Sequence, residues 1–245
     1  MTMERKSAAV NTRRRYDSSG RRERARQARD QIVGIARDLF LSRGYAATTV
    51  AAIAAQARVS VETIYKGFGG KPGLVRAIVE RGLAGAGPVP AEQRSDQIRD
   101  TEPDPRRILT AWGAFVTELA PGTAPILTLA RDAAASDPEL AALLDEVSAA
   151  RLERMTVNAR ALSDAGHLRP GITVAQAADI LWTYSSPELY ELLVLCRGWS
   201  AEHYGRFVAQ AMIAALLAPT APGQNAPSDS PAHSIRRARP DQPDL

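Results

Sequence analysis

From Ile32 to Leu216 the large apolar residues recur at steps of three and four, and no segment of useful length alternates singly as a half-buried strand would. The first run, Ile32, Val33, Ala36, Leu39 and Phe40, predicts a helix from about Glu23 to Arg43, stopped by Gly44. Val50, Ile53, Ala54 and Ala57 predict a second, with Thr48 or Thr49 as its cap. A third is expected in "RVSVETIYKGFGG", capped by Ser60 and ended by Gly69 and Gly70. At about 100° per residue, Val61, Ile64 and Phe68 share a narrow arc suited to packing on the first helix. Glu62, Thr63 and Lys66 lie opposite, with Tyr65 on the flank, so one face is apolar and the other is equipped for a polar partner. Pro72 suits the first turn of a fourth helix running to about Ala84, with Leu74, Val75, Ile78 and Val79 inward.

Residues 85–105 are poor in large apolar residues and rich in Pro, Gly and Asp, and read as a linker. Beyond it the helical period returns: after Asp104 and Pro105, then over Ile126 to Ala135, then in a long helix opened by Asp137 and Pro138 and closed by Gly166. Thr173 and Gln176 have capping-box spacing for Ala175 to Tyr184. Ser186 and Pro187 restart a helix to about Cys196, and Ser200 opens the last one. Tyr204, Phe207, Val208, Ala211, Met212, Ala215 and Leu216 form an apolar stripe along that last helix, equally suited to a dimer seam or to the chain's own core. The expected fold is all-α.

Charge divides this chain of helices into unlike parts. Residues 1–84 hold 17 Lys and Arg against 7 Asp and Glu, and the remainder holds 14 against 20. A basic N-terminal part points to nucleic acid or another acidic surface, and the acidic remainder argues against the whole chain lying along a polyanion. The single cysteine, Cys196, permits no internal disulfide, the N-terminus lacks the apolar run of a signal peptide, and no stretch of about 18 apolar residues suggests a membrane span. A cytoplasmic setting is expected, with no membrane partner.

A short helix, a three-residue turn and a second short helix after a longer one is the arrangement of a helix-turn-helix DNA reader. In detail, "TTVAAIAAQARVSVETIYKGFGGKPGLVRAIV" resembles the N-terminal domain of the tetracycline-repressor (TetR) family of bacterial transcription regulators. That resemblance implies an N-terminal three-helix DNA-binding domain over residues 25–85, with its motif at about 49–68. It also implies a C-terminal helical domain for effector binding and dimerisation over 86–218, leaving a basic arm at 1–24 and a Pro-, Ala- and Ser-rich tail at 219–245. Thr63 and Lys66 would face the major groove, where a hydroxyl meets a base edge or a phosphate and a lysine reaches guanine. Tyr65 resembles the family's phosphate-contacting tyrosine, while Thr48 or Thr49 and Lys71 resemble its backbone anchors at helix N-termini. Ser60 and Glu62 belong to the same face. Arg58 stands where the family usually has glycine, so a left-handed residue is expected there at about 1 to 2 kcal/mol, offset by a phosphate contact. Gly67 stands where a larger side chain is common.

Plainer readings accompany several of these residues. Glu62 and Lys66 are spaced as a surface ion pair worth roughly 0.2 to 0.5 kcal/mol. Arg13, Arg14, Arg15, Arg21 and Arg22 fit a minor groove or a solvated tail equally. Enzymatic chemistry finds no footing: His167, His203 and His233 are scattered without a metal-ligand pattern, and "GFGGKPG" lacks the spacing and preceding strand of a phosphate loop. No cofactor, metal or catalytic residue is therefore expected.

The resemblance implies a homodimer, and two short reading helices about 34 Å apart would match successive major grooves of a palindromic double-stranded operator. Trp112, Phe115, Trp182, Tyr184 and Tyr190 are candidates for an effector pocket, with core packing as their alternative fate. The lack of a buried-looking charge cluster favours a neutral or weakly polar hydrophobic ligand over an anionic one. The resulting expectation is a repressor released from its operator by a small hydrophobic effector. The alternatives are a DNA-binding protein of the same fold that answers to a protein partner or to nothing, supported by a filled C-terminal core, and, from another class, a helical enzyme or carrier.

Overall fold

A computed structural model describes residues 19–219, which contain helices and no strand. Helix α1 spans Ser19–Arg43, α2 Val50–Ala57, α3 Val61–Phe68 and α4 Lys71–Ala84. They are followed by α5 Ala91–Thr101, α6 Pro105–Ala134, α7 Pro138–Asp164 and α8 Val174–Tyr184. A single turn, α9 (Pro187–Tyr190), passes into a π-helical stretch, Glu191–Cys196, before α10 spans Ala201–Leu216.

Local signals set most helix starts. The side chains of Thr49, Ser60, Asp104, Asp137, Ser186 and Ser200 each accept a backbone N–H in the first turn of the helix that follows. Thr173 and Gln176 form the reciprocal capping box. α1 begins earlier than its apolar period indicates, so Arg21 and Arg22 of the expected arm lie on its first turns. Arg13, Arg14 and Arg15 lie outside the described residues, as does nearly all of the tail.

The linker expected at 85–105 is instead organised around α5. Only Ala91 of this helix is fully buried, with Ile98 partly so, and an apolar period therefore never develops. Charge pairs hold it: Arg94 to Glu118 at 2.6 Å, Arg99 to Asp96 at 2.7 Å and Arg154 to Asp96 at 2.9 Å. α6, expected as two segments, is one 30-residue helix that passes through Pro121 and Pro125. Pro125 has no N–H for the Pro121 carbonyl, and Arg37 Nη2 donates to that oxygen at 3.4 Å.

Two apolar cores result. Ile32, Phe40, Ile53, Ile64, Leu74 and Ile78 pack with Ile126 of α6 and Leu140 and Leu143 of α7, so the first core crosses residue 85. Ile108, Leu109, Leu162, Leu181, Tyr204 and Val208 anchor the second, built from α6, α7, α8 and α10. The stripe on α10 is used there: Tyr204, Val208 and Leu216 are fully buried against their own chain. Close backbone approach makes this contact possible. A Cβ added to Gly205 would fall 1.7 Å from Thr117 Oγ1, and one on Gly113 2.6 Å from Ala209 Cβ.

Candidate nucleic-acid interface and internal cavity

α2 starts with the Thr49 hydroxyl accepting the Ala52 N–H at 3.1 Å. Thr48 is corrected: it is 1% exposed, and its hydroxyl donates to Leu39 O and Gly44 O, so it braces the end of α1 and cannot present that group outward. α2 ends at Arg58, the sole non-glycine residue with positive φ among those described, at φ 55° and ψ 42°. Its N–H closes onto Ala54 O and Ala55 O while the side chain is exposed. Ser60 then caps α3, accepting the Thr63 N–H at 3.1 Å, with the two hydroxyls 2.8 Å apart.

α3 is seated through one apolar residue and one stacked ring. Ile64 is fully buried. Phe68 is partly buried, with the Arg29 guanidinium 4.4 Å from its ring centroid. Arg29 Nη1 also donates to Gly67 O at 2.9 Å, tying the last turn of α3 to α1. The packing expected of Val61 does not occur: it is 40% exposed, because it opens the helix beyond the edge of the core that Ile64 reaches. Arg29 was invisible to the sequence reading because its partner is a backbone carbonyl 38 residues away.

The outward face of α3 carries Glu62, Thr63, Tyr65, Lys66 and Gly67, all exposed. Lys66 Nζ and Glu62 Oε1 are 3.8 Å apart, with both side chains more than four-fifths exposed. That geometry leaves Lys66 free to exchange partners, since a solvated pair of this kind contributes at most about 0.5 kcal/mol. Tyr65 is 55% exposed, and its ring edge lies close to Gly70. Gly67 leaves open space where a side chain would stand. Lys71, at the start of α4, rests over the Tyr45 ring at 4.1 Å and donates to Tyr45 O at 2.8 Å, which uses one of its three N–H groups.

Tyr45 extends this anchoring to the second half of the chain. Its hydroxyl donates to Asp137 Oδ2 at 2.6 Å, and Asp137 in turn caps α7 through the Leu140 N–H at 3.1 Å. The Tyr45 hydrogen bond holds the Asp137 carboxyl below its usual range, while burial and the adjacent carboxylate push the Tyr45 phenol above its own.

Between α4, α6, α7 and the α8–α9 turn lies a cavity of about 730 Å³. Trp112 and Phe115, two of the five aromatic candidates, line it together with Val116, Leu119, Leu127 and Met155. The other three candidates do not border it. Trp182 lies against the Arg151 guanidinium, Tyr184 packs edge-on to Phe207, and Tyr190 packs edge-on to Tyr204. Nor is the cavity without charge: Arg76, Arg131, Arg151 and Arg154 all border it. The sequence reading missed them because their spacing carries no motif. No group of three or more His, Cys, Asp or Glu suited to a metal occurs among the described residues, and no helix there is long and apolar enough to cross a membrane.

Residues 32–78 match the family described as "Bacterial regulatory proteins, tetR family". The HTH-type transcriptional regulator YvkB of Bacillus subtilis (strain 168), itself uncharacterised, is 33% identical over 75 residues. That match spans 31% of this chain and 40% of the relative, so it covers well under half of YvkB. Solved structures extend the likeness to the whole fold. SmeT, in its complex with triclosan, aligns with 84% of this chain and 99% of its own at a TM-score of 0.58 and 21% identity. NalD, the secondary repressor of the MexAB-OprM multidrug efflux pump in Pseudomonas aeruginosa, aligns over 80% and 98% at a TM-score of 0.59 and 20% identity. The capped α2, the left-handed turn at Arg58 and the outward polar face of α3 all lie within the segment that matches the tetR family of bacterial regulatory proteins, and the remainder of the chain is similar to the solved regulators in fold.

Proposed function

We propose that the chain is a sequence-specific DNA-binding transcription regulator, acting as a homodimeric repressor that leaves a palindromic operator when a small molecule enters the cavity. The observation that carries this reading is the division of α3: Ile64 is fully buried, while Thr63, Tyr65 and Lys66 project from a rigidly held helix. Such a helix fits a major groove, with Lys66 and Thr63 toward base edges and Tyr65 toward a phosphate. Thr49, Arg58 and Lys71 surround it at helix ends and in the turn, where phosphates would lie. Ser60 caps α3, and Glu62 stands beside Lys66 on the same exposed face.

Effector control is supported by the 730 Å³ cavity, which disfavours a filled core and with it a same-fold protein lacking an effector. SmeT was solved with triclosan and NalD is a repressor, and both share this fold. The mechanism is a population shift, in which the effector weakens operator binding by no more than its preference for the released conformation. The basic residues Arg21 and Arg22 lie on α1 and add to the positive end of the molecule.

The test is capture of sheared genomic DNA by the full chain at near-physiological salt, followed by sequencing. A few palindromic sites are expected. Tyr65→Ala with Lys66→Ala should abolish their retention while leaving the helical circular dichroism unchanged. Equal retention by the double variant would refute the assigned face.

A further inference from the structure

The cavity's charges are not equivalent. Three of its four arginines are neutralised by a carboxylate: Arg76 by Glu146 at 2.6 Å, Arg131 by Glu191 at 3.1 Å and Arg154 by Asp96 at 2.9 Å. Arg151 has no carboxylate within 4 Å among the described residues, although Glu188 contributes a favourable field from further away. Its Nη1 donates to Trp182 O and Ser185 Oγ, both neutral acceptors, and its other nitrogens meet no acceptor among the described residues. Burial pushes this guanidinium below the usual arginine range, yet an arginine stays charged at neutral pH. Glu80, Asp145 and Glu188 also border the cavity but are exposed to water, where their fields are screened.

Two further donors stand in the same wall. Trp112 is 94% buried and Tyr204 fully so, and neither Trp112 Nε1 nor the Tyr204 hydroxyl has a hydrogen-bond partner among the described residues. Buried polar groups are rarely left so, and each unmet donor carries a desolvation cost that an incoming acceptor would remove. Tyr204 lies near enough to Arg151 for the two to interact electrostatically. The wall therefore combines one unneutralised cation and two unmet donors with a large apolar surface.

Resting on the effector reading above, we infer that this cavity takes an amphipathic organic anion, whose carboxylate-like head is held by Arg151 with Tyr204 and Trp112 while its apolar body lies along α6 and α7. This departs from the neutral or weakly polar hydrophobic ligand expected from the sequence. The charge that decides it belongs to one arginine whose lack of an ion-pair partner only the packing of α7 against α8 creates.

Calorimetry on the full chain with three probes of one chain length, decanoate, decan-1-ol and decyltrimethylammonium, below their micelle-forming concentrations, tests the assignment. Decanoate is expected to bind about tenfold or more tighter than the alcohol, and the cation more weakly than either. Arg151→Gln should erase the preference for decanoate while leaving alcohol binding within about twofold. Because Arg151 also braces Trp182, Tyr204→Phe provides a second arm: it removes an unpartnered hydroxyl, keeps the ring and should weaken decanoate about threefold or more. The assignment is overturned if the alcohol or the cation matches decanoate, if no probe binds, or if the preference survives Arg151→Gln or Tyr204→Phe. Capture of genomic DNA is measured without any probe, so failure of the regulator reading and failure of the anion assignment remain distinct.

Discussion

Arg58 combines a strained left-handed backbone with a proposed place at the DNA interface. A left-handed non-glycine residue is disfavoured by about 1 to 2 kcal/mol, and glycine at that position returns about 0.5 to 1 kcal/mol as extra freedom of the unfolded chain. Arg58→Gly is therefore expected to stabilise the protein by up to about 1 kcal/mol, seen as a raised denaturant midpoint with an unchanged slope. If Arg58 contacts a phosphate, the same variant should bind operator DNA more weakly and show a salt dependence shallower by about one unit. A more stable variant with unaltered salt dependence would remove Arg58 from the interface and leave its conformation unexplained. The left-handed conformation was legible only through the family resemblance, because Arg58 stands where that family usually has glycine. The burial of Thr48 was not, because adjacent threonines have the same local propensity and only the end of α1 distinguishes them.

At the scale of elements, apolar period located the helices that pack through greasy faces and overlooked α5, whose stabilisation comes from arginine–carboxylate pairs to α6 and α7. It also divided α6 at prolines that neighbouring groups accommodate. The contact of α6 with α10 depends on glycine for space rather than flexibility. Gly205→Ala is expected to destabilise by about 1 to 3 kcal/mol through overpacking on Thr117, despite alanine's higher helix propensity. Gly67→Ala in α3 meets nothing within 4 Å and should stabilise by up to about 1 kcal/mol. Denaturant midpoints that move in the same direction for both variants would contradict this distinction.

Across the whole molecule, the two halves are joined by shared core and by the chain of contacts from Lys71 to Tyr45 to Asp137. The Asp137 pKa is depressed in the folded state, so its contribution is present above the unfolded value and is lost as pH falls through the folded one. Glu118, held low chiefly by Arg94, behaves in the same sense. Tyr45→Phe removes the hydrogen bond while keeping the ring, and should lower stability by about 1 to 2 kcal/mol at neutral pH. Because the loss is confined to pH values where Asp137 is ionised, the variant and the parent should converge as pH falls through the depressed folded-state pKa of Asp137. Melting temperatures measured from pH 7 down to the acid limit of the fold check this, and an offset that stays constant to that limit would assign the effect to packing alone.

Neighbours within one or two helical turns were enough to reveal the all-α class, the caps at Ser60, Thr173 and Ser200 and the polar outer face of α3. These follow from side-chain spacing and backbone preferences that act over a few residues, so they survive without tertiary context. Contacts made on folding settled which residues of the α10 stripe enter the chain's own core, whether two prolines break α6, which aromatics border the cavity and which arginine there lacks a carboxylate. Each depends on atoms brought together from tens of residues apart, where packing and desolvation outweigh local preference.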